Sequence, residues 1–303
     1  MKLLSFLAAM LIVSVLFAAC GTESQPTIET VMPAQTPHEP STQEESALTE
    51  QETTPEPMPD ISIPENVLFD SEGIRISARG LSDSWQGTAL DLLIENDSEI
   101  PVTVQVRDVS VNGIMFGQTS MSASVTPGNM ANDNIMFLSS GFERNGIETM
   151  GVIEFAFRII NNDDWSESFT SDRIVIETSA AGQFNQPLPD TIETIFEQDG
   201  IYIAHMCFEE TWMGKDVVFF IANDTDEAIT IQARDEVING FMISGSMSSE
   251  VLPGKVAIGS LSFGEWQLEE NGIEDIDFVE FRFRIIFEDW GDSFETDLIR
   301  LTP

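Results

Sequence analysis

The sequence predicts an all-β protein made of two tandem antiparallel β-sandwiches. Three observations lead to this fold class: apolar side chains that recur at every second residue, Asn-Gly and Pro-Gly pairs between apolar runs, and a second half that repeats the first. Alternation with a period of two buries one face of a strand, whereas an amphipathic helix repeats every three to four residues.

The two halves of the chain follow one plan. Aligning Gly73 with Gly200 pairs VQVRDVSVNGIM with IQARDEVINGFM, IENDS with IANDT, VTPG with VLPG, and NGIETMGVIEFAFRII with NGIEDIDFVEFRFRII. Such self-similarity at one spacing marks an internal duplication, and copies of about 110 residues are large enough for a core each. We therefore predict a first repeat over 64–178, a linker over 179–194 and a second repeat over 195–303.

The strands within each repeat follow from the alternation. In VIEFAFRII the expected buried face carries Ile153, Phe155, Phe157 and Ile159, and the second repeat has the same pattern at Val279, Phe281, Phe283 and Ile285. We predict about six to eight strands per repeat, centred in the first near Ile74, Leu90, Val102, Val109, Ser122, Ile135, Ile153 and Ile174. No segment shows the periodicity and caps of an amphipathic helix.

Turn residues separate these strands. Asn112-Gly113 and Asn239-Gly240 lie between apolar runs and predict hairpins, because both turn positions tolerate positive φ. Asn145-Gly146 indicates the same kind of turn. Asp108 and its equivalent Asp235 stand where the alternation slips phase, which indicates a β-bulge whose aspartate accepts hydrogen bonds from freed backbone donors.

The first residues predict export and a lipid anchor. An apolar run from Leu3 to Phe17 leads through two alanines directly into Cys20. This resembles the lipobox of bacterial lipoproteins, in which the cysteine is diacylated and becomes the mature N-terminus. The resemblance implies a signal peptide over 1–19, lipidation of Cys20, and a place on the outer face of the cell membrane. The alternative is an ordinary signal peptide, or a membrane helix with a chance cysteine.

The segment 20–63 and the net charge limit the partners of the protein. Residues 20–63 are rich in Thr, Glu, Pro, Gln and Ser, so we predict a disordered acidic tether. The chain carries 13 basic and 52 acidic residues, for a net charge of -39. A surface this negative disfavours nucleic-acid phosphates and anionic lipid headgroups, so we expect no nucleic-acid partner.

The repeats resemble a known group of domains. The asparagine that follows the second strand, the Asn-Gly and Pro-Gly turns and the alternating Phe strand resemble immunoglobulin-like domains of bacterial surface lipoproteins, including immunoprotective-antigen-like modules. The chain departs from antibody domains because it lacks their cysteine pair, and its single tyrosine, Tyr202, supplies no tyrosine corner in both copies. The resemblance implies architecture and no specific activity.

Residues that carry catalysis or bind metals are scarce. His205 and Cys207 are expected on the same side of a strand, with Cys207 a small buried thiol. One histidine in the folded part is too few for a zinc site, and no G-x-S-x-G elbow exists. We therefore predict no enzyme, metal or cofactor. Loop carboxylates such as Asp224 and Asp226 are interpreted as turn chemistry, with a calcium site as the alternative.

Arginines and tryptophans supply the candidate binding residues. Arg158 and Arg284 occupy equivalent outward positions, where they form either a cross-strand ion pair or a recognition point for a carboxylate- or sulfate-bearing ligand. Trp266 has no counterpart in the first repeat, and its indole either stacks on a sugar or lies half-buried beneath a loop. The remaining tryptophans form equivalent pairs, Trp85 with Trp212 and Trp165 with Trp290, which predicts core or end-plug roles.

The sequence thus predicts a membrane-anchored extracellular lipoprotein that acts as a non-catalytic binding module for protein, glycan or peptidoglycan at the cell envelope. Its candidate ligand-binding residues are Arg158, Arg284 and Trp266. A purely structural spacer is the alternative. An extracellular enzyme is less favoured because no poised acid, base or nucleophile is evident. A solute-binding component of a transporter is also less favoured, because it would need helices.

Overall fold

The computed structural model describes residues 61–288 and 292–303. The signal peptide predicted over 1–19, Cys20 and most of the predicted tether lie outside the described residues. The described part is built of antiparallel β-sheets with two short helices, so the predicted all-β sandwich class is confirmed. Ile61 and Ile63, within the segment predicted as tether, pack against the first core.

The first repeat contains eleven of the described strands and one helix: β1 (Asn66–Ser71), β2 (Ile74–Ser84), β3 (Gly87–Asn96), β4 (Val102–Val111), β5 (Ile114–Met115), β6 (Thr119–Ser120), β7 (Ser122–Val125), β8 (Asn129–Leu138), α1 (Ser139–Asn145), β9 (Val152–Asn161), β10 (Phe169–Thr170) and β11 (Ile174–Glu177). A short 3-10 turn spans Trp165–Glu167.

The second repeat has the same order except that an isolated bridge between Ser246 and Ser262 replaces β6. Its ten described strands and one helix are β12 (Glu193–Gln198), β13 (Ile201–Thr211), β14 (Gly214–Asn223), β15 (Ile229–Ile238), β16 (Phe241–Met242), β17 (Ser248–Val251), β18 (Lys255–Gly264), α2 (Glu265–Glu270), β19 (Val279–Phe287), β20 (Ser293–Glu295) and β21 (Ile299–Leu301). Residues 178–192, between the repeats, contain no strand.

The sheet order is that of an immunoglobulin-like sandwich. In the first repeat β2-β3-β8-β6 form one sheet, with β1 added beside β2, and β4, β9 and β11 form the facing sheet. This corresponds to the A-B-E-D and C-F-G sheets of immunoglobulin constant domains. Each sandwich closes over its own core, one built from buried residues between 74 and 176 and the other from buried residues between 201 and 301.

The alternation predicted for β9 and β19 is confirmed. All eight side chains assigned to the inner faces are inaccessible to solvent or nearly so: Ile153, Phe155, Phe157, Ile159, Val279, Phe281, Phe283 and Ile285. Their phenylalanine rings meet edge to face, as in the Phe281–Phe283 pair with centroids 5.0 Å apart. That geometry is favoured by the aromatic quadrupole.

The hairpin predictions are confirmed at two sites and wrong at a third. Asn112-Gly113 joins β4 to β5 and Asn239-Gly240 joins β15 to β16, with positive φ at all four residues. Asn145-Gly146 instead ends α1, where Gly146 is the left-handed C-cap. The helices escaped prediction because six or seven residues are too few to establish a helical period.

The bulges are also confirmed. Asp108 and Asp235 have φ of 58° and 57°, and the register between β4 and β9, and between β15 and β19, shifts at these points. Val102 and Val109 consequently belong to one strand, not two. The predicted aspartate role is wrong, because no backbone N–H among the described residues donates to the carboxylate of either aspartate. Asp235 instead lies 3.6 Å from Arg282 as an ion pair.

The two repeats share one continuous sheet. Strand β5 of the first repeat lies parallel to β18 of the second, with Ile114 opposite Val256 and the Val256 N–H donating to the Gly113 carbonyl at 3.1 Å. Val256 packs against the first core and Met115 against the second. The hairpin tip of the first repeat thus completes the edge of a sheet in the second.

Two ion pairs accompany this junction. Lys255 of the second repeat contacts Glu154 of the first, and both side chains are largely buried. Arg144 on α1 lies 3.5 Å from Glu209 on β13. Pairs that are withdrawn from water carry more energy than exposed ones, but also a larger desolvation cost.

A buried asparagine links the two sheets of each sandwich. Asn96, at the end of β3, donates to the carbonyls of Ile100 and Val125, both at 2.9 Å, and accepts from the N–H and hydroxyl of Ser98. Asn223, at the end of β14, makes the same bonds to Glu227, Val251 and Thr225 in the second repeat. Every donor and acceptor of the amide is satisfied, as burial requires.

We predict that Asn223→Leu lowers the free energy of unfolding by about 2–4 kcal/mol, because it leaves two buried carbonyls without their donor. Urea denaturation of residues 55–303 measures the change. Asn132→Leu, the same substitution at an exposed position on β8, is the control and should shift stability by less than about 0.5 kcal/mol. Equal losses in the two variants would contradict the role of the buried amide.

Candidate functional site

Two tryptophans protrude from equivalent hairpin tips. Trp85 is 90% exposed and Trp212 is 92% exposed, so the predicted core or end-plug role is wrong for both. Trp165 is exposed as well, and Trp290 lies outside the described residues. An indole exposed to this degree forgoes the large burial energy of an aromatic side chain, and here it does so in both repeats.

The tip geometry explains why these indoles point outward. Each tryptophan lies in the two-residue turn between a hydroxyl residue and a glycine. Thr211 Oγ1 accepts from the Met213 N–H at 3.3 Å and donates to the Gly214 carbonyl at 3.2 Å. Gly214 has φ of 144°, and a Cβ there would lie 2.0 Å from the Phe263 carbonyl oxygen. Only glycine fits at position 214, so the turn keeps this conformation. The tryptophan at its apex then has no neighbour to pack against.

Another indole, that of Trp266, lies at the same end of the second repeat as Trp212. The N–H of Glu265, the first residue of α2, donates to the Met213 carbonyl at 2.8 Å. Trp266 follows, 67% exposed, and its Nε1 lies 3.1 Å from where a Cβ on Gly264 would be, so the indole leans over the end of β18. Because Gly264 pairs with Gly214 next to the tip, Trp212, Met213 and Trp266 share one end of the sheet. We call these three residues the tryptophan cluster.

Carboxylates surround the tryptophan cluster. Glu209, Glu210 and Glu265 are neighbours of the cluster in the chain and are exposed. Glu210 lies 2.5 Å from Lys215, and the hydrogen bond from this lysine lowers the pKa of the Glu210 carboxyl. The cluster is therefore an apolar surface with a negative margin, which disfavours anionic ligands.

The two arginines predicted as binding residues are not part of this cluster. Arg158 lies on β9 opposite Gln105, in the first repeat, and Arg284 lies on β19 in the second. Arg284 donates to the Ser293 hydroxyl at 3.3 Å, and within 61–288 and 292–303 neither arginine has a carboxylate at ion-pair distance. The structure does not bring Arg158, Arg284 and Trp266 together.

The Cys207 prediction is wrong on two counts. A bulge between His205 and Cys207 shifts the register of β13, so the two side chains do not share an environment. His205 is buried against Phe208 and Phe219, whereas Cys207 is exposed. Desolvation lowers the pKa of His205; desolvation and then the Glu209 charge raise the pKa of the Cys207 thiol, the opposite of what nucleophilic chemistry needs.

A polar cleft of about 800 Å³ runs between the repeats, next to their shared sheet. Hydroxyl side chains from both repeats line it, together with Arg107, Asp108 and Glu250. Arg107 donates to Gln105 at 2.7 Å. Desolvation raises the pKa of Asp108, although Arg107 and Arg173 oppose this. Desolvation also raises the pKa of Glu250, and the charges of Asp108 and Glu288 raise it further.

Metal-binding clusters and helices that could cross a membrane were sought among the residues that the structure covers. No group of three or more His, Cys, Asp or Glu side chains among them is arranged to hold a metal ion. None of their helices has the length and apolar character needed to cross a membrane.

Comparison with known proteins gives distant likenesses only. No family model matches the chain, and no curated protein does. A conserved domain protein from Bacillus anthracis is similar at 12% identity over 80% of this chain and 91% of that one, with a TM-score of 0.27. The YadV chaperone is similar at 11% identity over 70% and 92%, with a TM-score of 0.23. A protein of unknown function from Porphyromonas gingivalis W83 is similar at 12% identity over 76% of this chain and 100% of that one, with a TM-score of 0.19. Likenesses this weak carry no argument about function.

The predicted core role of Trp212 is wrong because Trp212 and Trp85 share a turn position and not a core position. The local signal is present in the sequence, since Ser-Trp-Gln-Gly and Thr-Trp-Met-Gly place an indole inside a two-residue turn, and turn residues lie on the surface. The proximity of Trp266 to Trp212 depends on the pairing of β14 with β18, which no local pattern reveals.

We predict that Glu250→Gln stabilises the protein at pH 7 and has little effect near pH 4. Because the folded-state pKa of Glu250 lies above the ordinary value of 4.5, folding favours the protonated carboxyl. That stabilisation is present below pH 4.5 and is lost as the pH rises through the raised pKa. Melting temperatures of both proteins between pH 4 and pH 8 measure the effect. The exposed Glu274→Gln is the control, and a difference that does not change with pH would contradict the prediction.

Proposed function

We propose that the protein is a lipid-anchored, non-catalytic carbohydrate-binding protein of the cell envelope. The observation that carries this proposal is the tryptophan cluster, in which Trp212 and Trp266 offer their indoles to solvent at one end of the second repeat. Exposed apolar side chains gathered at one place on a surface mark interaction sites. Trp85 offers a single equivalent platform on the first repeat.

The chemistry of the cluster favours sugars. One face of a pyranose carries axial C–H groups that pack on the negative face of an indole, and Trp provides a large rigid surface for this contact. The flanking glutamates and the net charge of -39 repel anionic polymers. We therefore assign the site to neutral or amino sugars, such as the glycan strands of peptidoglycan.

The proposed anchor places the site near such polymers. The apolar run that leads into Cys20 favours acylation of this cysteine and a position on the outer face of the membrane. The acidic segment that follows would then act as the tether between membrane and folded repeats.

We predict that Trp212→Ala and Trp266→Ala each weaken binding of soluble chito-oligosaccharides or peptidoglycan fragments roughly tenfold, which corresponds to about 1.4 kcal/mol of lost stacking. Isothermal titration calorimetry measures the affinity. Trp165→Ala is the matched control, because it removes an indole outside the cluster that is exposed about as much as that of Trp266, and it should bind as the unchanged protein does. Absence of binding to every neutral and amino-sugar glycan tested would refute the proposal.

We predict that the chain expressed in a bacterial host carries fatty acids on Cys20 and partitions with membranes. Mass spectrometry of the N-terminal peptide should show the acyl groups, and Cys20→Ser should release the protein in unacylated form. Cys207→Ser is the control and should remain in the membrane fraction. A membrane-bound Cys20→Ser protein would contradict the anchor without affecting the carbohydrate site.

A further inference from the structure

The junction between the repeats has two complementary halves, and each half has an unpartnered equivalent elsewhere among the described residues. One half is the hairpin strand β5, with Ile114 and Met115. The other half is the edge of β18 at Val256, which β5 covers. We call them the hairpin half and the edge half. Because the repeats share one plan, the second repeat also has a hairpin half and the first repeat also has an edge half.

The second hairpin half is β16. The sequence NGFM, which includes Phe241 and Met242, takes the place of NGIM in the first repeat, and β16 pairs with β15 as β5 pairs with β4. Ile114 is 1% exposed, whereas Phe241 is 47% and Met242 is 79% exposed. Among the described residues no strand lies on the free side of β16.

The second edge half is the start of β8. Asn129 and Met130 follow Pro-Gly as Lys255 and Val256 do, and β8 pairs with β3 as β18 pairs with β14. Met130 is 67% exposed. Strand β6 covers this side of β8 only at its far end, opposite Met136 and Phe137. The described part of the chain thus leaves open the stretch that a hairpin half covers in the second repeat.

We propose that a second copy of this chain occupies these surfaces, with β16 of one molecule docked on the start of β8 of the next. The contact would reproduce the internal junction, with Met242 in the place of Met115 and Met130 in the place of Val256. An open strand edge beside exposed apolar side chains is a site for strand addition. Because the two surfaces differ, the contact is head-to-tail and extends to a chain of molecules unless it closes into a ring.

The charges make this contact weaker than the internal junction. The Lys255–Glu154 pair would become Asn129 facing Glu280, and Glu280 is already bound to Arg300 at 2.8 Å. The high negative charge adds repulsion between copies. Association therefore requires a high local concentration, which anchoring to a membrane surface would supply by the same mass action that operates between linked sites.

Sedimentation velocity of residues 55–303, the compact unit that contains both cores, tests the proposal at protein concentrations up to about 1 mM, which is high enough to detect a contact with a Kd of about 1 mM. The expected result is a series of species that grows with concentration. Met242→Asp and Met130→Asp each place a charge in one half of the contact and should leave the protein monomeric. Leu188→Asp, which changes an exposed apolar residue outside both halves and outside the tryptophan cluster, should associate as the unchanged chain does.

A mixture of the two variants provides the decisive measurement. Met242→Asp retains an intact edge half and Met130→Asp an intact hairpin half, so an equimolar mixture should form dimers and nothing larger. A symmetric or non-specific association would not give this result. A monomeric unchanged chain at every concentration, a mixture that stays monomeric, or equal disruption by Leu188→Asp would overturn the proposal, whatever the outcome for carbohydrate binding.

A gain of affinity supplies an independent check. Asn129→Lys places at the edge half of the first repeat the lysine that the second repeat has at position 255, opposite Glu280 of the docked copy. Association should tighten at least about tenfold, the scale of one interfacial ion pair, and the gain should disappear in the Asn129→Lys, Met242→Asp double variant. Unchanged association in Asn129→Lys would count against the proposed register of the contact.

Discussion

The amide of one buried asparagine holds the two sheets of each sandwich in register. Asn96 and Asn223 end the second long strand of their repeats and reach the opposite sheet at the carbonyls of Val125 and Val251. Antibody domains span their sheets with a disulfide, and this chain has no cysteine pair in either repeat. A buried amide that lost one partner would destabilise the interior, so the loops on both sides must keep their conformation. The position of every later strand in the repeat depends on that conformation.

The two repeats associate by covering an exposed strand edge. A β-sandwich exposes strand edges that invite further pairing, and the second repeat has its β18 edge covered by the hairpin of the first. Interdigitation of Val256 and Met115 between the two cores makes the pair of repeats one body with two cores. The polar cleft beside the junction contains Asp108 and Glu250, and partial desolvation there raises the pKa of both carboxyls.

The surfaces left uncovered define what the described part of the molecule offers to partners. Trp212 in its turn and Trp266 at the start of α2 are exposed at the end of the sheet, and the hairpin of the second repeat carries exposed Phe241 and Met242. The former surface is flanked by glutamates and is the proposed sugar site, whereas the latter is an open strand edge and is the proposed site of strand addition. Binding of a glycan and association of copies would therefore use separate parts of the same repeat.

The sequence alone was sufficient for the features that depend on neighbours in the chain. Alternation predicted the inner faces of β9 and β19, Asn-Gly pairs predicted two hairpins, and the phase slips predicted the bulges at Asp108 and Asp235, because each of these is a property of local backbone geometry. Helices of six or seven residues and the bulge that separates His205 from Cys207 were missed, since their signals are too short. Only the tertiary structure placed Trp266 beside Trp212 and β5 against β18. Contacts between distant strands depend on which edges remain open after folding, and no local pattern records that.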